Sequence, residues 1–293
     1  MISTINSVED AVMGSFEEYR PLLFSIAYRM LGSAMEAEDI VQDAYLRYQA
    51  TPPERIQSPK AFLSTIVTRL CLDHLKSAQA QRETYIGPWL PEPLLTGESA
   101  MLPSRDYDSI SMAFLVLLES LTPVERAVFL LHEVFDYDYA DIARIVGKEE
   151  AACRQLFSRA KKHIAERRPR FHSTPEEHQA MIGKFLMAVQ GGDLDGLMNL
   201  LADDITWYSD GGGKVTAATR PIHGRDRVAR FALALPRFRP EGVSVEIAEV
   251  NGRPAVIFRR ADGTPLFVFT FDVANGKIHR VWAVGNPDKL KHL

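Results

Sequence analysis

The chain has 293 residues, of which 46% are hydrophobic and 25% charged, and its formal net charge is −4. These proportions are typical of a globular protein, and the length predicts two or three domains at roughly 100 to 200 residues each. No apolar run approaches the ~20 residues that cross a bilayer, and the N-terminus lacks a basic start followed by an apolar core. We therefore expect a cytoplasmic protein that does not bind a membrane.

The two cysteines, Cys71 and Cys153, have no CxxC spacing, which argues against a disulfide framework and a zinc site. A redox-active pair brought together by the fold stays an alternative. The sequence predicts no metal and no cofactor.

Residues 10–82 show helical periodicity and carry two charged surfaces of opposite sign. In "AEDIVQDAYLRY" one helix face is acidic, which suits a basic protein partner: its residues are Glu38, Asp39, Gln42 and Asp43. The helix of "SPKAFLSTIVTRLCLDHLK" begins with Ser58 as N-cap and Pro59 at its first position. Its charge is of the opposite sign, and this basic surface suits nucleic acid. Its candidate residues are Arg69, Asp73, His74 and Lys76. Either run could instead be a solvated helix face.

Residues 83–108 are rich in proline and predict a linker, after which helices resume over 109–170. In "DIARIVGKEEAACRQLFSRAKKHI" the small Ala143 and the turn residue Gly147 predict a helix-turn-helix. From Lys148 to Arg170 there are eight Lys or Arg against three Glu, a local excess of five positive charges. The second helix therefore predicts contact with DNA phosphates and bases. The candidate residues are Arg154, Gln155, Ser158, Arg159, Lys161 and Lys162.

Residues 174–293 differ in kind from the helical blocks before them. A capping signature at Thr174 opens one or two amphipathic helices, and strands follow between turns at Asn251-Gly252, Asp262-Gly263 and Asn275-Gly276. These turns predict an antiparallel meander in an α+β domain with its helices on one face of a curved sheet.

Residues ~10–170 resemble the extracytoplasmic-function sigma factors, with region 2 in the first two quoted motifs and region 4 in the helix-turn-helix. The resemblance implies a multidomain protein of two all-α sigma domains, which binds core RNA polymerase and promoter DNA and is a monomer when free. It implies that the acidic helix binds the polymerase clamp. It further implies that the helix of residues 61–76 holds the melted −10 element and that the helix after Gly147 reads the −35 element.

Residues ~174–293 are similar to the SnoaL-like, cone-shaped α+β domain found in a subgroup of these sigma factors, which is understood to regulate itself through that domain. Three motifs of the subgroup are intact: "WLPEP" (Trp89, Leu90, Pro91, Glu92, Pro93), "DGGGK" (Asp210, Gly211, Gly212, Gly213, Lys214) and "NPDKL" (Asn286, Pro287, Asp288, Lys289, Leu290). We expect Asp210 and Lys214 to be exposed at the rim of the cone. We also expect the linker to dock on this domain and so to set the spacing of the DNA-binding domains, with Trp89 as an anchor. In the alternative, Trp89 is only a core residue under a long loop.

The cone also permits an isomerase-like enzyme or a sensor of an unidentified small ligand, although a fold alone does not carry its relatives' chemistry. An isomerase needs an ionisable base in an apolar cavity. The candidates are Asp204, Tyr208, Asp210, His223, Asp226 and His279, with Trp207 and Trp282 as walls. The basic helix argues against a protein that is only an enzyme, and the acidic helix argues against an ordinary helix-turn-helix repressor. The main prediction is a sigma factor without enzymatic activity.

Overall fold

The computed structural model describes residues 2–96, 107–167 and 173–293. Residues 97–106 of the predicted linker and the basic residues Arg168 and Arg170 lie outside these ranges. The chain forms two compact units. The first comprises residues 1–81, 99–109 and 117–167, and the second comprises residues 82–98, 110–116 and 168–293. Among the described residues, no helix combines the length and the apolarity that a bilayer span requires.

The first unit is helical. Its helices are α1 (Ile2–Leu31), α2 (Ala34–Gln49), α3 (Pro59–Glu83), α5 (Pro123–Glu133), α6 (Tyr139–Val146) and α7 (Glu150–Arg167), and α4 (Met112–Leu118) precedes α5 in the chain. Thr122 and Glu125 form a reciprocal capping box at the start of α5, and Thr174 and Glu177 form the predicted one at the start of the helix that follows Thr174. Cys71 and Cys153 are both free and buried, and burial raises the pKa of each thiol.

The second unit combines helices with a mixed sheet. Its helices are α8 (Pro175–Gly191), α9 (Leu194–Leu200) and α10 (Arg225–Ala234). The strands are β1 (Leu201–Asp210), β2 (Ile222–His223), β3 (Ser244–Val250), β4 (Arg253–Arg259), β5 (Pro265–Ala274) and β6 (Lys277–Val284), in the order β2-β1-β6-β5-β4-β3.

The predicted antiparallel meander is β3 to β6, but it is only part of the sheet. β1 pairs in parallel with β6, with Ser209 opposite Ala283 and Asp210 opposite Val284. β1 was not predicted from the sequence, since its partner strand lies some seventy residues later and no tight turn marks the pairing.

The two faces of this sheet are covered by different parts of the chain, since side chains alternate along each strand. The helices α8, α9 and α10 cover one face, whose buried residues include Trp207, Val256, Phe269, Phe271, Val281 and Ala283. The predicted linker and the start of α4 cover the other, where Leu90 and Met112 pack with Val250, Ala255, Ile257, Val268, Trp282 and Val284. The sheet therefore separates a helical layer from a linker layer.

Candidate functional site

The acidic face of α2 is accessible to a partner. Asp39, Gln42 and Asp43 are exposed, whereas Glu38 is half-buried and accepts a hydrogen bond from Arg20 at 2.7 Å. Two apolar side chains of the same helix are exposed as well, Met35 and Leu46, at 43% and 60%. Acidic groups beside exposed apolar groups suit a protein partner that offers basic and apolar surface together.

The residues of α3 that were predicted to contact DNA already make contacts within the first unit. Arg69 donates from Nε to the carbonyl of Ile145 at 3.0 Å and from Nη2 to the carbonyl of Arg144 at 2.8 Å, at the C-terminal end of α6. A guanidinium is favourable there because the last carbonyls of a helix have no partner inside the helix.

The other predicted residues of α3 also have charged partners. Lys76 lies 2.9 Å from Asp73, and His74 Nε2 lies 3.2 Å from a carboxylate oxygen of Glu36. These partners are exposed or half-buried, so the contacts are weak and can exchange with other partners.

The helix-turn-helix formed by α6 and α7 has the geometry that its sequence predicts. Gly147 adopts the left-handed conformation at φ 66°, and the amide of Lys148 donates to the carbonyl of Ala143 at 3.1 Å. Ile142 and Cys153 are buried between the helices. The turn thereby holds α7 against α6 while its opposite face stays open.

The open face of α7 presents the predicted DNA-contacting residues to solvent. All six are exposed: Arg154, Gln155, Ser158, Arg159, Lys161 and Lys162. Arg154 pairs with Glu150 at 2.9 Å and lies over the ring of Tyr139. Lys162 has no acidic partner among the residues that the structure describes. Exposed pairs of this kind contribute little to stability, so the basic side chains can turn to phosphates.

The motifs "WLPEP", "DGGGK" and "NPDKL" meet at the buried carboxylate of Asp210. We call the residues around it the junction: Tyr85, Trp89, Leu90, Asp210, Asn286 and Lys289. Oδ2 of Asp210 accepts from the amide of Leu90 at 2.9 Å and from Nζ of Lys289 at 2.7 Å. Oδ1 accepts from the hydroxyl of Tyr85 at 2.6 Å and from the amide of Gly212 at 3.1 Å.

The expectation that Asp210 is exposed at the rim was therefore wrong. Asp210 is 0% exposed and Lys289 6%, because four hydrogen-bond donors, one of them the Lys289 ammonium, replace the water of the carboxylate. The Lys289 ammonium also lies 4.0 Å from the ring centre of Trp89. Lys214 is exposed, as expected, and pairs with Asp288 of the third motif. The junction thus links the linker to β1 and to the C-terminal segment.

Two residues of this arrangement were not singled out from the sequence. Tyr85 also accepts a hydrogen bond from Asn286 at 2.9 Å, and burial, followed by its bond to Asp210, raises its pKa. Asn251 was noted only as a turn residue. Its side-chain oxygen accepts a hydrogen bond from the backbone amide of Leu94 at 3.1 Å, and its backbone amide donates to the Leu94 carbonyl at 2.8 Å. The prolines and Trp89 were the sequence signals for a docked segment, and neither points to Tyr85 or Asn251.

The helix-covered face of the sheet borders a cavity of about 750 Å³. Of the described residues, its wall includes Trp207 but none of the six ionisable candidates for catalysis. His223 lies 3.1 Å from Thr206, Asp226 pairs with Arg230 and His279 lies 3.6 Å from Asp204. Tyr208 and Trp282 belong to the opposite face. The candidate catalytic set was wrong, since alternation along β1 turns Tyr208 and Asp210 away from the cavity.

Known protein families account for most of the chain. Models of three families match it: Sigma-70 region 2 over residues 15–81, Sigma-70 region 4 over residues 111–164 and the SnoaL-like domain over residues 182–284. The ECF RNA polymerase sigma factor SigJ of Mycobacterium tuberculosis is 38% identical over 95% of this chain and 93% of that protein. The chain belongs to the extracytoplasmic-function (ECF) sigma factors.

Two further comparisons cover nearly the whole length of this chain and of the sigma factor compared with it. The probable ECF sigma factor SigI of Mycobacterium tuberculosis is 32% identical over 98% of this chain and 97% of that protein. The crystal structure of SigJ superposes with a TM-score of 0.76 at 36% identity, covering 95% of this chain and 98% of that one. The resemblance to sigma factors with a SnoaL-like domain and the predicted fold class are therefore confirmed.

Proposed function

We propose that this ECF sigma factor binds core RNA polymerase, directs promoter-specific initiation and is regulated in cis by its SnoaL-like domain. The observation that carries the proposal is the exposed basic face of α7, which directly follows a helix-turn-helix. Arg154 and Gln155 near the start of α7 would reach base edges of the −35 element, while Arg159, Lys161 and Lys162 would neutralise phosphates.

Core polymerase would be bound by α2. Asp39, Gln42 and Asp43, with the exposed Met35 and Leu46, supply an acidic and partly apolar surface that a duplex would repel. An ordinary helix-turn-helix regulator needs no such surface, so α2 favours the sigma factor over a repressor. Because its partners are polymerase and promoter, we place the protein in the cytoplasm, as a monomer when free.

The melted −10 element would be held by α3. Since Arg69 donates to the end of α6 in the free protein, binding by this residue requires the contact between α3 and α6 to break. We infer that the free form keeps Arg69 away from DNA and that the complex with polymerase releases it.

Regulation in cis would act through the junction. The docked residues 84–96 belong to the segment that joins region 2 to region 4 in the chain, so docking would limit the distances that these regions can adopt. We infer no enzymatic activity for the SnoaL-like domain, because the described cavity wall contains no carboxylate and no histidine to act as the base.

The test is transcription in vitro with core polymerase on DNA from upstream of this gene and its neighbours. Full-length protein should initiate at specific sites, and Asp39→Lys should weaken core binding. Glu54→Lys is the matched control, because it makes the same charge change at an exposed site outside α2. Equal core binding by the two variants would contradict the role of α2.

Truncations test the regulation. A chain ending at Gly285 lacks Lys289, and one ending at Ser173 lacks the whole sheet. Initiation that differs from the full-length level supports control in cis. Identical initiation by all three chains would refute it.

A further inference from the structure

Aromatic rings of region 4 form a block beneath the basic face of α7. We call Phe129, His132, Tyr139 and Phe157 the aromatic block. The ring centre of His132 lies 4.4 Å from that of Tyr139 and 4.6 Å from that of Phe157. Phe157 in turn stacks on the buried ring of Phe129, with 6.0 Å between the ring centres. Because these residues belong to α5, α6 and α7, the block joins all three helices.

Tyr139 occupies a fixed place in this block. It is the first residue of α6 and follows the N-cap Asp138, whose side chain accepts a hydrogen bond from the amide of Asp141 at 2.7 Å. Nδ1 of His132 lies 2.9 Å from the carbonyl of Tyr137. A carbonyl only accepts, so Nδ1 carries a proton, and its bond ties the His132 ring to the turn between α5 and α6. Tyr139 rests on that ring and therefore offers a fixed surface to α7.

Arg154 and Lys161 of the basic face lie over rings of the block. Cζ of Arg154 is 4.9 Å from the ring centre of Tyr139, and Nζ of Lys161 is 5.3 Å from that of Phe157. Both distances are within the roughly 6 Å at which the face of an aromatic ring attracts a cation. The two side chains are two turns apart on α7 and so lie on the same face of the helix. The block therefore supports this part of the surface that is predicted to meet DNA.

The ring beneath Arg154 has a consequence that the ring beneath Lys161 does not have. A guanidinium that lies over a ring is bound through its flat face, and its N–H donors remain at its edge. Bidentate recognition of O6 and N7 of guanine requires those edge donors in one orientation. A ring that limits the conformers of an exposed arginine beforehand lowers the entropy lost when the arginine binds a base. The ammonium of a lysine is a point charge and needs no such orientation to neutralise a phosphate.

We propose that Tyr139 is a positioning residue for base recognition, whose ring orients the guanidinium of Arg154 towards base edges of the −35 element. The proposal rests on the function proposed above, in which Arg154 reads a base. The other contact of Arg154, from Nη2 to Glu150 at 2.9 Å, occupies an edge donor that a base would need. That exposed ion pair is weak, so it opens when DNA binds while the contact with the ring is kept.

The DNA test uses the full chain, a promoter duplex found by the transcription test above, and the same duplex with a scrambled −35 element. The ratio of the two affinities, measured by fluorescence anisotropy, reports base reading. Tyr139→Leu removes the ring but keeps apolar volume, and it should lower this ratio about twofold to fivefold. It should leave the affinity for the scrambled duplex unchanged, whereas damage to the fold of region 4 would lower both affinities.

Three further variants identify the contact that is responsible. Tyr139→Phe keeps the ring and should restore the ratio. Glu150→Gln removes the ion pair but not the ring, so the ratio should be kept although both affinities rise with the loss of a negative charge. In the Arg154→Ala background, Tyr139→Leu should change the ratio no further, because the ring acts only through Arg154.

A measurement without DNA reports the contact itself. In the full chain labelled with nitrogen-15 arginine, the resonance that is lost in Arg154→Lys identifies the Nε–H group of Arg154. The ring current of Tyr139 shifts this proton, so Tyr139→Leu should move the resonance. Tyr139→Phe should leave it close to its original position.

Four results would overturn the proposal. These are an Arg154 resonance that Tyr139→Leu does not move, a ratio that Tyr139→Leu does not lower, an equal loss of affinity on both duplexes, and a ratio that Glu150→Gln lowers as much as Tyr139→Leu does. If the unaltered chain binds both duplexes equally, the proposed reading of the −35 element is itself wrong, and the role of Tyr139 is refuted with it. The unaltered chain thus tests the proposed function, and the variants test the positioning role.

Discussion

Replacing Lys289 by methionine removes the cation of the junction and leaves the rest of its side-chain volume. Asp210 then keeps three donors, the Tyr85 hydroxyl and the amides of Leu90 and Gly212, but loses its counter-charge while fully buried. Breaking a buried ion pair from one side costs about 3–5 kcal/mol. Since the three remaining donors still solvate the carboxylate, we expect the lower end, about 3 kcal/mol, in the free energy of unfolding of the second unit.

The three tryptophans of the chain, at positions 89, 207 and 282, all lie in the second unit, so tryptophan fluorescence in a urea titration follows that unit. The matched control is Lys291→Met, which breaks an exposed pair with Asp288 and should cost less than about 1 kcal/mol. The double variant Asp210→Asn/Lys289→Met should recover part of the loss. If Lys289→Met costs no more than Lys291→Met, the junction is not held by a buried ion pair and the reasoning fails.

Three further outcomes are expected. In fluorescence anisotropy, Arg154→Ala should weaken binding to promoter duplex by about 1–3 kcal/mol and relax its sequence specificity. Lys162→Ala should instead lower the affinity for all sequences and reduce the slope of log affinity against log salt concentration by about 1. An equal loss of affinity on every sequence for both variants would contradict base readout by Arg154. Burial lowers the pKa of His178 from 6.5 to about 4, so the unfolded chain binds the proton first. Stability of the second unit should therefore be full above pH 6.5 and fall by up to about 3 kcal/mol towards pH 4, and His178→Phe should flatten this part of the pH profile of urea unfolding; an unchanged profile would contradict it. Gly212→Ala should destabilise the second unit by about 1–3 kcal/mol in the same titration, because φ is 58° and a Cβ would lie 2.3 Å from Nδ2 of Asn286; a neutral effect would show that the loop adjusts.

Local features of this fold could be predicted from the sequence because their causes lie within a few residues. The capping box at Thr174 and the left-handed turn at Gly147 each depend on neighbouring residues, and both are present as predicted. Exposure of the α7 residues follows in the same way from the period of one helix.

The environment of Asp210 could not be predicted, because it depends on residues more than 75 positions away in either direction. "DGGGK" looks like an exposed polar loop when read alone, and only the meeting of β1 with β6 brings Lys289 to it. The resemblance to the sigma-factor subgroup identified all three segments but not their common contact. The same limit explains the wrong catalytic candidates, since the register of β1 decides which side chains face the cavity.

The composition of the junction suits a contact that forms and breaks. A buried ion pair adds little net stability, because desolvation offsets most of its attraction. When the linker leaves, Asp210 loses the amide of Leu90 and the hydroxyl of Tyr85, but water can replace both donors. The attraction that remains is mainly apolar, about 1.5–3 kcal/mol for each buried leucine at positions 90 and 94.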